Sequence, residues 1–332
     1  MKVRVAINGF GRIGRCVLRS IFEENRTHQF DIVAINDASG IQSTAHFTKF
    51  DSTHGRFNAN VAIDNNNLVI NEVKIPVISQ REPEKCAWQQ YDVDIVLECT
   101  GAFTERHQAM RHIDAGAKKI LISAPAKNPD ATVVYGVNHA MINSSHVIVS
   151  NASCTTNCLA PVVKPLHALL GIEQGLVNTI HAYTKDQLLL DGSHKDFQRA
   201  RAAAHSIIPT KTGAAQAIGL VIPELSGKLD GFALRVPVIN VSTVDFTFTA
   251  KKSTSVEEVN QILTEAADNK ILCVNSLPLV SCDFNHHTAS AIVDLQQTKV
   301  INNLVKVMIW YDNEWGFANR MLDTASHMFN CR

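Results

Sequence analysis

The run Ser150-Asn-Ala-Ser-Cys-Thr-Thr-Asn-Cys158 surrounds Cys154 with small hydroxyl and amide side chains, just ahead of an apolar stretch at 159–170. This spacing predicts a loop feeding a helix N-terminus, with Ser153, Thr155, Thr156 and Asn157 able to cap it. Amides at a helix start point outward and the helix dipole favours negative charge, so a thiol placed there ionises more readily. His181 is the candidate partner: an imidazole beside the sulfur would lower the thiol pKa further and move protons as acid and base. An isolated cysteine is more often a packed core residue; the polar flanks and the rest of the chain reverse that reading here. Cys158, one helical turn on, reads as a packed small side chain, with a resolving thiol under oxidation as the alternative.

A second cluster lies at the N-terminus. A short apolar, β-branched run at 3–7 leads into Gly9-Phe10-Gly11-Arg12-Ile13-Gly14 and then into helix-like sequence at 15–24. This is G-x-G-x-x-G in the strand–turn–helix setting that gives the pattern meaning. Gly9 permits the tight turn, Gly11 lets a pyrophosphate approach the backbone, and Gly14 allows the helix to pack on the strand. A second apolar strand at 32–35 ends in Asn36-Asp37. Asp37 stands 23 residues beyond Gly14, where a carboxylate accepts hydrogen bonds from an adenosine ribose.

The elements that must carry these clusters fall into two groups. From 1 to about 149, short β runs at 95–99, 120–123, 133–135 and 147–149 alternate with helical stretches at 42–49 and 104–115. Such alternation predicts a doubly wound parallel sheet of Rossmann type, with ligands at the carboxyl ends of its strands. Cys99-Thr100-Gly101 and Ser123-Ala124-Pro125 stand at such ends, and Arg81 sits in a loop able to cover an adenine or simply meet solvent. Beyond the Cys154 helix the pattern changes to long β runs at 175–183, 231–238, 241–250 and 304–310, helices at 255–268 and 313–330, and a polar, basic stretch at 184–211. The expectation is an α/β chain: residues 1–150 as a dinucleotide-binding domain on which a final helix (313–332) packs, and 151–312 as an α+β catalytic domain with a largely antiparallel sheet.

Composition narrows the function classes. The chain has 332 residues, 45% of them hydrophobic and 19% charged, an ordinary globular balance with room for two cores. Lys and Arg number 31 against 31 Asp and Glu, so no global field draws nucleic acid or an anionic membrane. No apolar run approaches the ~20 residues of a membrane span. The eight cysteines form no paired framework and no signal-peptide pattern precedes the first strand, which predicts reduced thiols in a cytoplasm. Cys154-x-x-x-Cys158 is not a metal or redox spacing, and no metal is expected.

Together these residues closely resemble the phosphorylating glyceraldehyde-3-phosphate dehydrogenases of bacterial type. The likeness runs through residues 6–15, Asp51-Ser-Thr-His-Gly-Arg-Phe57, Ser123-Ala-Pro125 and Ser150 to Cys158, then His181-Ala-Tyr-Thr184 and Arg199-Ala-Arg201. It continues in Pro209-Thr-Lys-Thr-Gly-Ala-Ala215, Arg235-Val-Pro237 and Trp310-Tyr-Asp-Asn-Glu-Trp-Gly316. The resemblance implies a homotetramer that oxidises D-glyceraldehyde 3-phosphate and uses inorganic phosphate to release 1,3-bisphosphoglycerate. Cys154 would be the nucleophile and His181 the base. NAD would lie against Asn8, Gly9, Phe10, Gly11, Arg12, Ile13, Asp37, Arg81, Thr100 and Ser123, with Asn313 on the nicotinamide carboxamide. Asn313 also suits the N-cap of the last helix. Thr184 and Arg235 would hold the substrate phosphate; Ser153, Thr212, Gly213 and Arg199 the inorganic one; Thr155 joins this phosphate-binding set.

Several residues leave alternatives open. Gly192-Ser193 precedes His194 where NAD-specific members often carry Leu-Pro, and Ala38-Ser39-Gly40 leaves room after Asp37, so NADP use stands beside NAD. Asp37 itself would repel a 2′-phosphate unless it turned away. The ending at 315–324 resembles erythrose-4-phosphate dehydrogenases, which deacylate with water, but the intact Pro209–Ala215 motif favours the triose and phosphate. Lys185, next to Thr184, adds a cation near the anion site or meets solvent. Arg201 reads as a structural charge, and His194, His205, His286 and His287 lie outside the pattern.

Overall fold

A computed structural model describes residues 1–331. They form two compact units: Met1–Ser153 together with the chain from Ala318 onward, and Cys154–Phe317.

The first unit is built on a sheet ordered Ala131–Thr132, Ile148–Ser150, Lys119–Ile122, Ile95–Glu98, Val3–Asn8, Phe30–Asn36, Val73–Ile78, Asn67–Ile70, Val61–Asp64. The neighbours from Ala131–Thr132 through Val73–Ile78 pair in parallel. Val5, Ile7, Val96, Leu97 and Leu121 are fully buried, as expected of strands covered on both faces. The Arg12–Glu23 helix turns Cys16, Val17, Leu18 and Ile21 inward. It begins three residues before the predicted start, with Gly11 as N-cap. The strand expected at 133–135 is absent: pairing occupies Ala131–Thr132, Val133 adds one amide bond to Ser150 at 2.9 Å, and a turn follows. The antiparallel strands Val61–Asp64 and Asn67–Ile70 were not anticipated, because each is only four residues long and their sequences, VAID and NLVI, show no polar–apolar alternation. Among the described residues no helix is long and apolar enough to cross a membrane.

The second unit carries a sheet ordered Ile208–Lys211, Leu229–Val236, Ile172–Ala182, Ser242–Ala250, Leu304–Tyr311, Ala291–Asp294, Leu272–Asn275. Most pairs are antiparallel, but Ile172–Ala182 runs parallel to Leu229–Val236, and that register sets His181 opposite Arg235. Alternation in Ser242–Ala250 buries Val244, Phe246 and Phe248, the two rings stacking with centroids 5.1 Å apart. Within the stretch read as irregular at 184–211, Ile208–Lys211 is an edge strand. The short helix Ala214–Val221 was not anticipated either, being too brief and too uniformly apolar to show a period.

Candidate active site

Cys154 is the first residue of the Cys154–Leu170 helix. The preceding loop is under strain: Ala152, fully buried, adopts φ +55°, a left-handed conformation that costs an alanine about 1–2 kcal/mol. The Cys154 and Thr155 amides and the Thr155 hydroxyl lie close enough to the sulfur to favour its charged form. Burial nevertheless dominates and pushes the Cys154 thiol up, while the Arg235 charge and those donors pull the other way. Position at a helix start therefore does not by itself make the resting thiol a thiolate.

His181 Nε2 lies 3.5 Å from Cys154 Sγ. The imidazole is 4% exposed and meets the Tyr311 ring edge-on at 5.9 Å. Burial first, then the neighbouring Arg235 cation, drives its pKa down to about 3, so it stands neutral at physiological pH. Its Nδ1 is 2.6 Å from the Ala182 carbonyl and 2.7 Å from Arg235 Nη1. Only one of these contacts is satisfied at a time. Nδ1–H donating to the carbonyl leaves Nε2 as a lone pair facing the sulfur, whereas Arg235 donating to Nδ1 puts the hydrogen on Nε2.

The residues predicted for anions divide. Arg235 is shielded from water, which lowers its pKa, and its buried Nε has no hydrogen-bond partner among the described residues. Arg199 is engaged: Nε donates to Thr210 Oγ1 at 2.7 Å and Nη1 pairs with Asp186 at 2.5 Å. The Thr184 amide and hydroxyl both reach Gln187 Oε1, at 2.8 and 3.2 Å. Thr212 Oγ1 accepts the Ala214 amide, and Gly213 is the N-cap of Ala214–Val221, with no acidic residue in its first turn and open space where a Cβ would stand. That helix start suits an anion. Thr155 does not face a ligand freely, since its hydroxyl also meets Tyr311 Oη at 2.9 Å. Ser153 is partly exposed, one residue before the thiol.

Asn313 is not the N-cap of the last helix. The helix is Trp315–Asn330, and Asp312 Oδ1 takes the amides of Glu314 and Trp315 at 2.9 and 2.8 Å. Asn313 Oδ1 instead accepts from Ser242 Oγ at 2.8 Å, which fixes Nδ2 as the side chain's donor end. Tyr311, Asp312 and Ser242 escaped the sequence reading. Tyr311 had a signal, because the alternation that buries Val305, Val307 and Ile309 reaches it next.

In the first unit the glycine turn has the shape a dinucleotide needs. A Cβ on Gly9 (φ +90°) would fall 2.6 Å from Thr100 Cγ2, and one on Gly14 would fall 2.3 Å from the Gly9 carbonyl. Gly11 has nothing within 4 Å on that side, so its backbone is open to a pyrophosphate. The helix behind it has neither a side-chain cap nor an acidic first turn. Asn8 and Phe10 are buried, and Ile13 is half-buried. Arg12 spends its guanidinium on Asp51, whose carboxyl, despite burial, is held well below the usual range by Arg12 and the His54 and Thr53 amides. What Arg12 can offer a ligand is therefore backbone. Asp37 is pinned: Ser39 Oγ donates to Oδ1 at 2.7 Å and Thr44 Oγ1 to Oδ2 at 2.8 Å. Arg81 is exposed, and the Ser123 amide bonds the Glu98 carbonyl at 3.0 Å while its hydroxyl meets the Cys99 thiol.

Comparison with known proteins places both halves. Residues 3–106 match the family profile described as glyceraldehyde 3-phosphate dehydrogenase, NAD binding domain, and residues 153–313 match that of its C-terminal domain. A glyceraldehyde-3-phosphate dehydrogenase of Pseudomonas aeruginosa is 57% identical over 326 residues, 98% of each chain. One from Cupriavidus necator, plasmid-encoded by its name, is 54% identical across 100% of both chains, and one from Geobacillus stearothermophilus is 51% identical over 99% and 98%.

Proposed function

This chain belongs to the glyceraldehyde-3-phosphate dehydrogenase family, and from that premise we propose that it oxidises D-glyceraldehyde 3-phosphate to 1,3-bisphosphoglycerate through Cys154 and His181. NAD is the cofactor, and when bound it accepts the hydride. The observation that carries the chemistry is the 3.5 Å approach of His181 Nε2 to the Cys154 sulfur, at a helix start and beside the half-buried Arg235.

Cys154 adds to the aldehyde carbon, forming the S–C bond of a hemithioacetal while its proton passes to the carbonyl oxygen by way of His181. His181, neutral because it is buried beside Arg235, then takes the hydroxyl proton as hydride leaves the same carbon. The C–S bond survives as a thioester. A phosphate oxygen attacks the acyl carbon, the C–S bond breaks, and the departing Cys154 sulfur takes back the proton held by His181, restoring thiol and neutral imidazole. The Cys154 amide and the imidazole stabilise the oxyanion in the addition steps. Arg235 binds the substrate phosphate with Thr184, and in doing so it leaves Nδ1 to the Ala182 carbonyl, which gives Nε2 its lone pair. Inorganic phosphate docks at Thr212 and Gly213 with Ser153 and Arg199. Asn313 Nδ2, oriented by Ser242, is the donor for the nicotinamide carboxamide.

Because Asp37 is tied by Ser39 and Thr44, it does not turn aside for a 2′-phosphate, which favours NAD over NADP. Assembly as a homotetramer belongs to the same reading, supported by Leu189, Leu190 and Phe197, which are 83%, 79% and 86% exposed on the segment after Thr184. The test is absorbance at 340 nm with glyceraldehyde 3-phosphate, with and without inorganic phosphate. Sustained phosphate-dependent reduction, abolished in Cys154→Ser, is the expected result. Turnover indifferent to phosphate, or seen only with erythrose 4-phosphate, overturns it.

A further inference from the structure

A buried polar cluster lies under the glycine turn. Glu98 closes the strand Ile95–Glu98 and is 0% exposed, as is His112; Asn8 is 1% exposed. One Glu98 oxygen, Oε1, receives the Thr100 amide at 2.8 Å and the Thr100 hydroxyl. The other, Oε2, receives Asn8 Nδ2 at 2.5 Å and His112 Nε2 at 3.0 Å. The imidazole tautomer follows from its other side: Trp88 Nε1 can only donate, and it does so to His112 Nδ1 at 3.0 Å, so Nε2 carries the hydrogen that faces Glu98. A carboxylate has about four lone-pair sites, and four donors converge on this one.

The partners held are the two residues that flank Gly9. Asn8 precedes it in the chain, and Thr100 is the residue that a Gly9 Cβ would strike. The Asn8 amide is oriented further by Asn36 Nδ2, which donates to its Oδ1 at 2.7 Å, and Asn36 Oδ1 in turn accepts the Gln80 amide at 2.8 Å. The hydrogen-bonded chain thus crosses the carboxyl ends of three adjacent parallel strands. We propose that Glu98 is a positioning residue for the cofactor, clamping Asn8 and Thr100 on either side of Gly9 so that the turn holds the shape that receives the pyrophosphate. The assignment rests on the reading of this turn as the NAD site.

The experiment is calorimetric titration of NAD into the purified full-length protein, the Glu98→Gln variant and a His112→Phe variant, with steady-state kinetics and thermal melts alongside. A glutamine presents one oxygen and one NH2 where four donors converge, so two donors meet N–H groups. The NAD dissociation constant and the KM for NAD should rise about 10-fold in Glu98→Gln and about 3-fold in His112→Phe, which takes one donor from Glu98 and leaves every residue assigned to NAD in place. At saturating NAD, kcat and the KM for triose phosphate should be retained. A folded variant that binds NAD as tightly as the parent, or tighter because a nearby negative charge is gone, overturns the proposal. So does a fall in kcat with unchanged NAD affinity. Should Glu98→Gln fail to fold, His112→Phe decides. If the parent protein binds no NAD, the functional reading fails instead.

Discussion

At the scale of single residues, Arg235 has a wide reach, because its charge acts on both the Cys154 thiol and the His181 imidazole. It favours the Cys154 thiolate and disfavours the His181 imidazolium. Replacing it with glutamine removes the cation while keeping donors near the Ala182 carbonyl. The thiol pKa should then rise, so the pH profile of Cys154 alkylation by iodoacetamide moves to higher pH. His181 also gains proton affinity, but burial is the larger cause of its depression, so it should remain neutral. A profile moving to lower pH would mean that an imidazolium had formed and taken over the role of Arg235. In turnover, Arg235→Gln should raise the KM for triose phosphate about 10- to 100-fold, the loss of one charge-assisted contact of about 1.5–3 kcal/mol.

At the scale of elements, the second strand and the helix that follows it hold the acid on which the proposed choice of nucleotide rests. The strand Phe30–Asn36 delivers Asp37, and the helix Ile41–Lys49 sends back Thr44, 1% exposed, to hold its carboxylate. A carboxylate fixed ~5 Å from a 2′-phosphate costs about 3 kcal/mol per unit charge at an effective dielectric near 20. Removing the tethers in a Ser39→Ala, Thr44→Val double variant frees Asp37 to rotate. The ratio of kcat/KM for NAD to that for NADP should then narrow by about 10-fold, on the scale of one or two hydrogen bonds. An unchanged ratio would show that the tethers have no part in discrimination.

At the scale of the whole molecule, the chain leaves the first unit at Ser153 and re-enters it at Ala318. The last helix is fastened there by Asn319, which accepts from Ser20 Oγ at 2.9 Å, and by Asp323. Asp323, 2% exposed, pairs with Arg26 at 2.7 Å and with Arg320 at 2.7 Å. Truncating it leaves two largely buried guanidinium groups without that counter-charge. Asp323→Ala should destabilise the first unit by about 3–5 kcal/mol, seen as a lower calorimetric transition. A melt identical to the parent's would show that this clamp adds nothing to the fold.

The sequence alone carried what depends on neighbours along the chain. The glycine turn, the parallel and antiparallel patterns, the acid after the second strand and the cysteine at a helix start are local, and periodicity and turn chemistry expose them. Boundaries of short elements were less legible: the strand at 133–135 dissolved into a turn, and the Asn313 cap passed to Asp312. Tertiary structure alone decided which groups meet. The parallel register of Ile172–Ala182 with Leu229–Val236 brings Arg235 onto the imidazole, and Asp51 takes up Arg12 across 39 residues. Glu98 gathers donors from Asn8, Thr100 and His112, with Trp88 behind them. No period or motif marks such a cluster, because a buried carboxylate chooses its partners by proximity in space, and its need for donors exists only once the sheet has closed water out.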